Sequence, residues 1–199
     1  MAKLMNWHLF EKKLKEKKIF LFTSLDVKRI FSISKIATTF LLHRYAKQGL
    51  IMRLKKGLYL FPEAGVPDFY IANKLYEPSY ISLETALSYY GIIPETVYEI
   101  TSVTTKATRR FKVKDKIFSY RSLKKEVFTG YSGHQQRGST FLMAEPEKAF
   151  VDLCYLKMIS NEKPLDRFSR EKIKTTKTLR YAKLFNNKKL IKIIKALFQ

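Results

Sequence analysis

The sequence predicts an α+β chain in two parts: an N-terminal unit of short helices closed by a β-hairpin, then a mixed α+β domain with a C-terminal helical region. Three observations carry this prediction. A helical period up to Gln48 gives way at Leu50–Phe61 to two β-prone runs around Lys55-Lys56-Gly57. Pro62-Glu63-Ala64-Gly65-Val66-Pro67 is the densest Pro/Gly cluster and sets a boundary, giving units 1–62 and 63–199. The net charge of +22 is unevenly spread: residues 1–61 carry +11, 62–156 carry +1 and 157–199 carry +10. Two basic ends flanking a neutral middle indicate separate tasks, and so large an excess makes a polyanion the leading partner.

Composition narrows the class further. With 46% hydrophobic and 14% aromatic residues the chain can build a core, unlike a disordered basic tail. No apolar run exceeds four residues, too short to span a bilayer, and no secretory signal is visible, so a cytoplasmic protein is expected. The single cysteine, Cys154, excludes an internal disulfide and a multi-cysteine metal site.

The elements follow in order. Residues 3–18 lack Gly and Pro, and Leu4, Trp7, the Leu9–Phe10 pair and Leu14 form a stripe under a Lys-rich face, predicting a first helix with Trp7 as a core anchor. Ile19–Phe22 is extended. Thr23 or Ser24 caps a second helix to Phe31, with Asp26 in its first turn. Ser34 caps a third helix, Lys35 to Gln48, which Gly49 ends. On a helical wheel Ile36, Ala37, Phe40 and Leu41 share one side with Arg44, read as the inner face. Lys35, Thr38, Thr39, Leu42 and Ala46 share the other, with His43 at the margin. That outer face is short, hydroxyl-bearing and cationic at one end, suited to base edges in a major groove. Arg53, Lys55 and Lys56 crown the hairpin tip, where Gly57 takes the positive-φ position. Helix, short helix, helix and basic hairpin is the order of a winged helix-turn-helix. A small helical domain with a solvated Lys face is the plainer alternative, and it leaves the cationic hairpin unexplained.

Beyond the boundary, Asp68–Tyr76 and Ser82–Tyr90 read as helices, the second ended by Gly91. Val97–Thr104, Phe111–Val113, Ile117–Tyr120, Val127–Phe128 and Ser139–Met143 read as strands of a meander, with a turn at Lys114-Asp115-Lys116 and a polar loop over Gly130–Gly138. Pro146 opens a helix running to Met158. No catalytic pattern emerges: Asp115-Lys116 and Glu147-Lys148 lack a partner acid, His8, His43 and His134 are scattered, and there is no Gly-rich phosphate loop. Neither a catalytic residue, a metal nor a cofactor is expected.

Over residues 160–199 a stripe of Tyr181, Leu184, Phe185, Leu190, Ile191, Ile194, Leu197 and Phe198 recurs at helical spacing, with Asn186-Asn187 dividing two helices. Its expected role is docking on the middle domain. Lys183, Lys188, Lys189 and Lys192 then remain outside as a solvated basic face, with additional phosphate contacts beside the winged helix as the alternative. A membrane-lying helix ranks lowest, for want of a stronger aromatic anchor.

Three stretches, Phe31–Tyr59, Tyr80–Gly91 and Glu145–Leu153, resemble AbiEi-type antitoxins, the regulatory component of type IV toxin–antitoxin and abortive-infection systems, across about residues 20–158. The resemblance implies a repressor that binds inverted repeats in double-stranded DNA of its own promoter. It also implies an antitoxin that counters a nucleotidyltransferase toxin without a stable complex. It places DNA contacts at Lys35, Thr38, Thr39, Arg53, Lys55 and Lys56. Ser34, Leu42 and His43 complete the candidate set, Leu42 being a departure from a polar reading face. The alternatives are a nuclease delivered by its winged helix and an antitoxin that sequesters its toxin directly.

Overall fold

The computed structural model describes residues 6–165 and 167–199, in two compact units, 1–66 and 67–199. The division falls inside the Pro62–Pro67 segment. Leu4, expected at the start of the first helix, lies outside the described residues.

In the first unit, α1 (Trp7–Glu16) is capped by Asn6, whose side chain accepts from the His8 amide. After it come β1 (Leu21–Thr23) and α2 (Ser24–Phe31). Thr23 and Asp26 form a reciprocal capping box, with the Asp26 amide donating to Thr23 Oγ1 at 3.2 Å and the Thr23 amide to Asp26 Oδ2 at 2.8 Å. α3 (Lys35–Lys47) starts at Ser34, whose Oγ accepts from the Ala37 amide at 3.1 Å. β2 (Met52–Lys55) and β3 (Leu58–Leu60) form the hairpin, and β1 pairs with β3 to complete a three-stranded antiparallel sheet of order β1-β3-β2. The ladder is irregular between Arg53 and Lys55, where the strand turns toward Lys56 and a Gly57 at φ +81°. The core joins Phe10, Leu14, Phe22, Val27, Leu41, Leu42, Tyr45, Ile51 and Phe61. Trp7 packs on its edge, 5.0 Å from the Tyr45 ring and 5.9 Å from Phe61.

α3 is rotated relative to the expected wheel. Its inner face is Thr38, Leu41, Leu42 and Tyr45, while Ile36 and Phe40 are 71% and 72% exposed. The helix carries two apolar stripes, 36/40 and 38/41/42/45. Only the second supplies the i, i+3, i+4, i+7 spacing that seats two full turns against the core. Arg44 is half-buried, its guanidinium 5.1 Å over the Tyr45 ring.

The second unit begins with α4 (Asp68–Leu75), β4 (Ser79–Ile81) and α5 (Leu83–Tyr89). Next come β5 (Glu99–Thr104), β6 (Arg109–Val113), β7 (Lys116–Ser122), β8 (Tyr131–Gln136) and β9 (Ser139–Ala144). The strands form one mixed sheet of order β6-β7-β5-β4-β9-β8, with β5 parallel to β7 and β4 parallel to β9. It is not a meander: the β6–β7 hairpin folds back so that β7, not β6, lies beside β5. β4, a three-residue strand between two helices, was not anticipated, because Glu77-Pro78 and Ser82 leave too short a run for a period to show. Two further expectations are corrected. Val127–Phe128 belongs to a 3-10 turn over Lys125–Val127, not a strand. Gly130–Gly138 is not a loop but largely strand β8, an edge strand polar on both faces because it is exposed.

α6 (Pro146–Ile159), with proline in its first turn, packs against α5 and against the C-terminal helices α7 (Thr175–Leu184) and α8 (Lys188–Leu197). Leu190 and Ile194 are buried, as the docked stripe requires, although Leu184 is exposed. Asn187 caps α8, accepting from the Leu190 amide at 3.0 Å.

Candidate nucleic-acid interface

The residues gathered by the first unit form a groove of about 710 Å³ between the start of α2, one flank of α3 and the hairpin. Ser24, Leu25 and Lys28 come from α2. Lys35, Thr38, Thr39, Leu42, His43, Ala46 and Lys47 come from α3, and Arg53, Lys56, Gly57 and Tyr59 from the hairpin. Five of these side chains are cationic, and no Asp or Glu lies among the described residues lining the groove. The single acid of α2, Asp26, is turned to its own N-terminus by the capping box. An uncompensated cationic concavity of this kind concentrates polyanions.

Local folding fixes each member. The Thr23 cap starts α2 where the β1–β3 ladder ends, and the Ser24 amide donates to Gly57 O at 3.1 Å, joining the helix start to the hairpin turn. The Ser34 cap and Gly49 at φ +73° set the ends of α3. Arg53 and Lys56 are exposed on the hairpin and Lys55 is half-buried.

The structure brings together most of the sequence-predicted set. Lys35, Thr39, His43, Arg53 and Lys56 are exposed along the groove. Two members, Thr38 and Leu42, require correction as direct contacts. Thr38 is 2% exposed and Leu42 0%, because both belong to the core stripe; Leu42 is therefore no departure from a polar reading face. The Ser34 hydroxyl is engaged as the helix cap. The hydroxyls of Thr38 and Thr39 both donate to the helix backbone, to Ser34 O and Lys35 O at 2.9 Å each, so Thr39 keeps acceptor lone pairs only. Sequence reasoning missed Lys28, Lys47 and Tyr59 on the groove and the exposed Ile36 and Phe40 on α3. The signal that could have found the last two is Tyr45, the fourth member of the true inner row.

In the second unit, Lys183 on α7 and Lys188, Lys189 and Lys192 on α8 are exposed, apart from the buried stripe. Two stretches distant in sequence meet inside this unit. Lys148 and Asp152 of α6 pair, Tyr80 bonds to both, and Ser82 Oγ donates to Asp152 Oδ2 at 3.0 Å. All four side chains are buried, so the cluster is closed to substrate. No group of three or more His, Cys, Asp and Glu side chains among the described residues is placed to hold a metal, and none of the described helices is long and apolar enough to cross a membrane.

Three helices closed by a small antiparallel sheet with a cationic hairpin have the element order of a winged helix-turn-helix. A family model described as "Transcriptional regulator, AbiEi antitoxin" matches residues 11–62. The match lies wholly within the first unit, which is thus similar to the AbiEi-type regulators over that segment. A search of curated proteins gives no match.

Proposed function

We propose that the protein is a DNA-binding autorepressor of a toxin–antitoxin operon and a type IV antitoxin that counters a nucleotidyltransferase toxin without forming a stable complex with it. The observation that carries the DNA-binding part is the acid-free cationic groove between α3 and the hairpin, within the segment that matches the AbiEi regulators. α3 enters the major groove, and Arg53, Lys55 and Lys56 hold the phosphate backbone on either side. The cognate site is an inverted repeat in the operon's own promoter, which places the protein in the cytoplasm. Its role is regulatory and non-enzymatic, and it needs no cofactor. Lys183, Lys188, Lys189 and Lys192 add a second, sequence-independent set of phosphate contacts.

Two measurements test this. Anisotropy titrations with the chain's own upstream DNA and a scrambled duplex should give tighter binding to the former and a steep loss of affinity with salt. Equal, weak binding to both would remove the repressor reading. Co-expression with the adjacent nucleotidyltransferase gene should restore growth without co-purification; stable co-purification would instead establish direct sequestration. Metal-dependent cleavage by the pure protein, abolished at a carboxylate, would replace the whole reading with a nuclease.

A further inference from the structure

We propose that α3 reads thymine methyl groups through Ile36 and Phe40, so that the DNA it selects carries thymines one or two base steps apart in the major groove. This rests on the DNA-binding reading above and names the chemical feature recognised. Ile36 and Phe40 stand one turn apart and are 71% and 72% exposed, whereas the neighbouring stripe of the same helix is sealed into the core. No described residue of their own unit covers them, and two large apolar side chains one turn apart gain nothing by standing in water.

Charge decides what covers them. Thr39, His43 and Lys47 share the exposed part of the helix, and the adjoining groove carries Lys28, Lys35, Arg53 and Lys56 without a carboxylate among its described residues. A second copy docked through α3 would set these cations against each other, in a segment that carries +11 over residues 1–61. The cationic surroundings favour a polyanion that also presents apolar groups between its charges. Duplex DNA meets both conditions, because the C5 methyl of thymine is the one apolar group that the unmodified base pairs display in the major groove. Duplex RNA meets only the first: its major groove is too deep and narrow for a helix, and uracil lacks the methyl. Residues i and i+4 are about 6 Å apart along a helix, between one and two base steps of about 3.4 Å each along one strand, which sets the thymine spacing at one or two steps.

The test uses the full-length protein. A preferred duplex is first enriched from a random pool, and each thymine is then replaced singly by deoxyuridine, which removes the methyl and keeps the hydrogen bonds. Two positions per half-site should each lose about fourfold in affinity, the worth of one buried methyl-sized group. Phe40→Ala and Ile36→Ala should each become indifferent to one of those substitutions while keeping the salt dependence of the native protein. A preferred duplex indifferent to every deoxyuridine substitution would overturn this proposal alone. So would a native dimer, seen by sedimentation without DNA, that Phe40→Ala converts to monomer. Failure to enrich any sequence would overturn both this proposal and the repressor reading beneath it.

Discussion

Lys148 and Asp152, one turn apart on α6, form an ion pair in which both side chains are completely buried, and the Tyr80 hydroxyl bonds to both at 3.0 Å. Burial pushes Lys148 below and Asp152 above their ordinary values, and each partner opposes the shift of the other. Removing one partner leaves an uncompensated charge in the interior. Asp152→Ala should therefore cost about 3–5 kcal/mol in urea unfolding. The double replacement Lys148→Met with Asp152→Leu should recover much of that loss, because it removes both desolvation penalties together. A double replacement no more stable than Asp152→Ala would show that the network's worth lies in its hydrogen bonds to Tyr80 and Ser82.

The C-terminal helices are latched to α6 by a partly exposed contact that answers to pH. The Tyr181 hydroxyl donates to Glu145, Lys177 Nζ lies 3.0 Å from Glu145 Oε2, and together they hold the Glu145 carboxyl below its ordinary value of 4.5. The folded value is depressed, so the stabilisation is complete above about pH 4.5 and disappears as pH falls through the folded value. An NMR titration of Glu145 should show Tyr181→Phe returning its midpoint toward 4.5, with the acid transition of α7 moving up with it. An unchanged midpoint would assign the depression to Lys177 instead.

Gly130 sits beneath the same latch at φ +73°, and a β-carbon there would lie 2.7 Å from the Tyr181 ring. Gly138, at φ +74°, has nothing within 4 Å. Both pay the left-handed backbone cost on substitution, and only the first meets a clash. Gly130→Ala should destabilise by about 1–3 kcal/mol beyond Gly138→Ala, and should loosen α7, read as faster amide exchange over Thr175–Leu184.

Much of this arrangement is legible in the residues themselves, and the exceptions have physical causes. Thr23, Ser34, Gly49 and Gly57 mark their elements because capping and positive φ are local requirements that side-chain type satisfies directly. The facing of α3 is not local. Two apolar stripes compete on it, and the packing partners Phe10, Leu14 and Phe61 choose between them. The strand β8 was hidden for a related reason: Tyr131–Gln136 has no apolar face because it pairs at an edge, so its hydrogen bonds to β9, not its side chains, make it a strand. The meeting of Tyr80 and Ser82 with Lys148 and Asp152 depends on the mixed sheet order, which no spacing in the sequence encodes.

The reversal of α3 separates residues that looked equivalent. Thr38 is buried and its hydroxyl donates to Ser34 O, a carbonyl that also accepts from the Thr38 amide at 2.9 Å. Thr38→Val keeps the shape and leaves no orphaned partner, so stability should change by about 1 kcal/mol or less and sequence preference should not move. Thr39 is exposed on the groove, so Thr39→Ala should leave stability nearly unchanged and relax discrimination at one base position. Arg53→Ala and Lys56→Ala, at exposed hairpin positions, should weaken preferred and scrambled duplexes alike, each lowering the slope of log affinity against log salt by about 1. Anisotropy titrations of the four variants against both duplexes over a salt series distinguish these outcomes. Lost discrimination in Thr38→Val at native stability would place the reading face on the flank that the core now occupies. A salt slope unchanged by either hairpin variant would move the phosphate contacts elsewhere, with the exposed lysines of α7 and α8 the next positions to substitute.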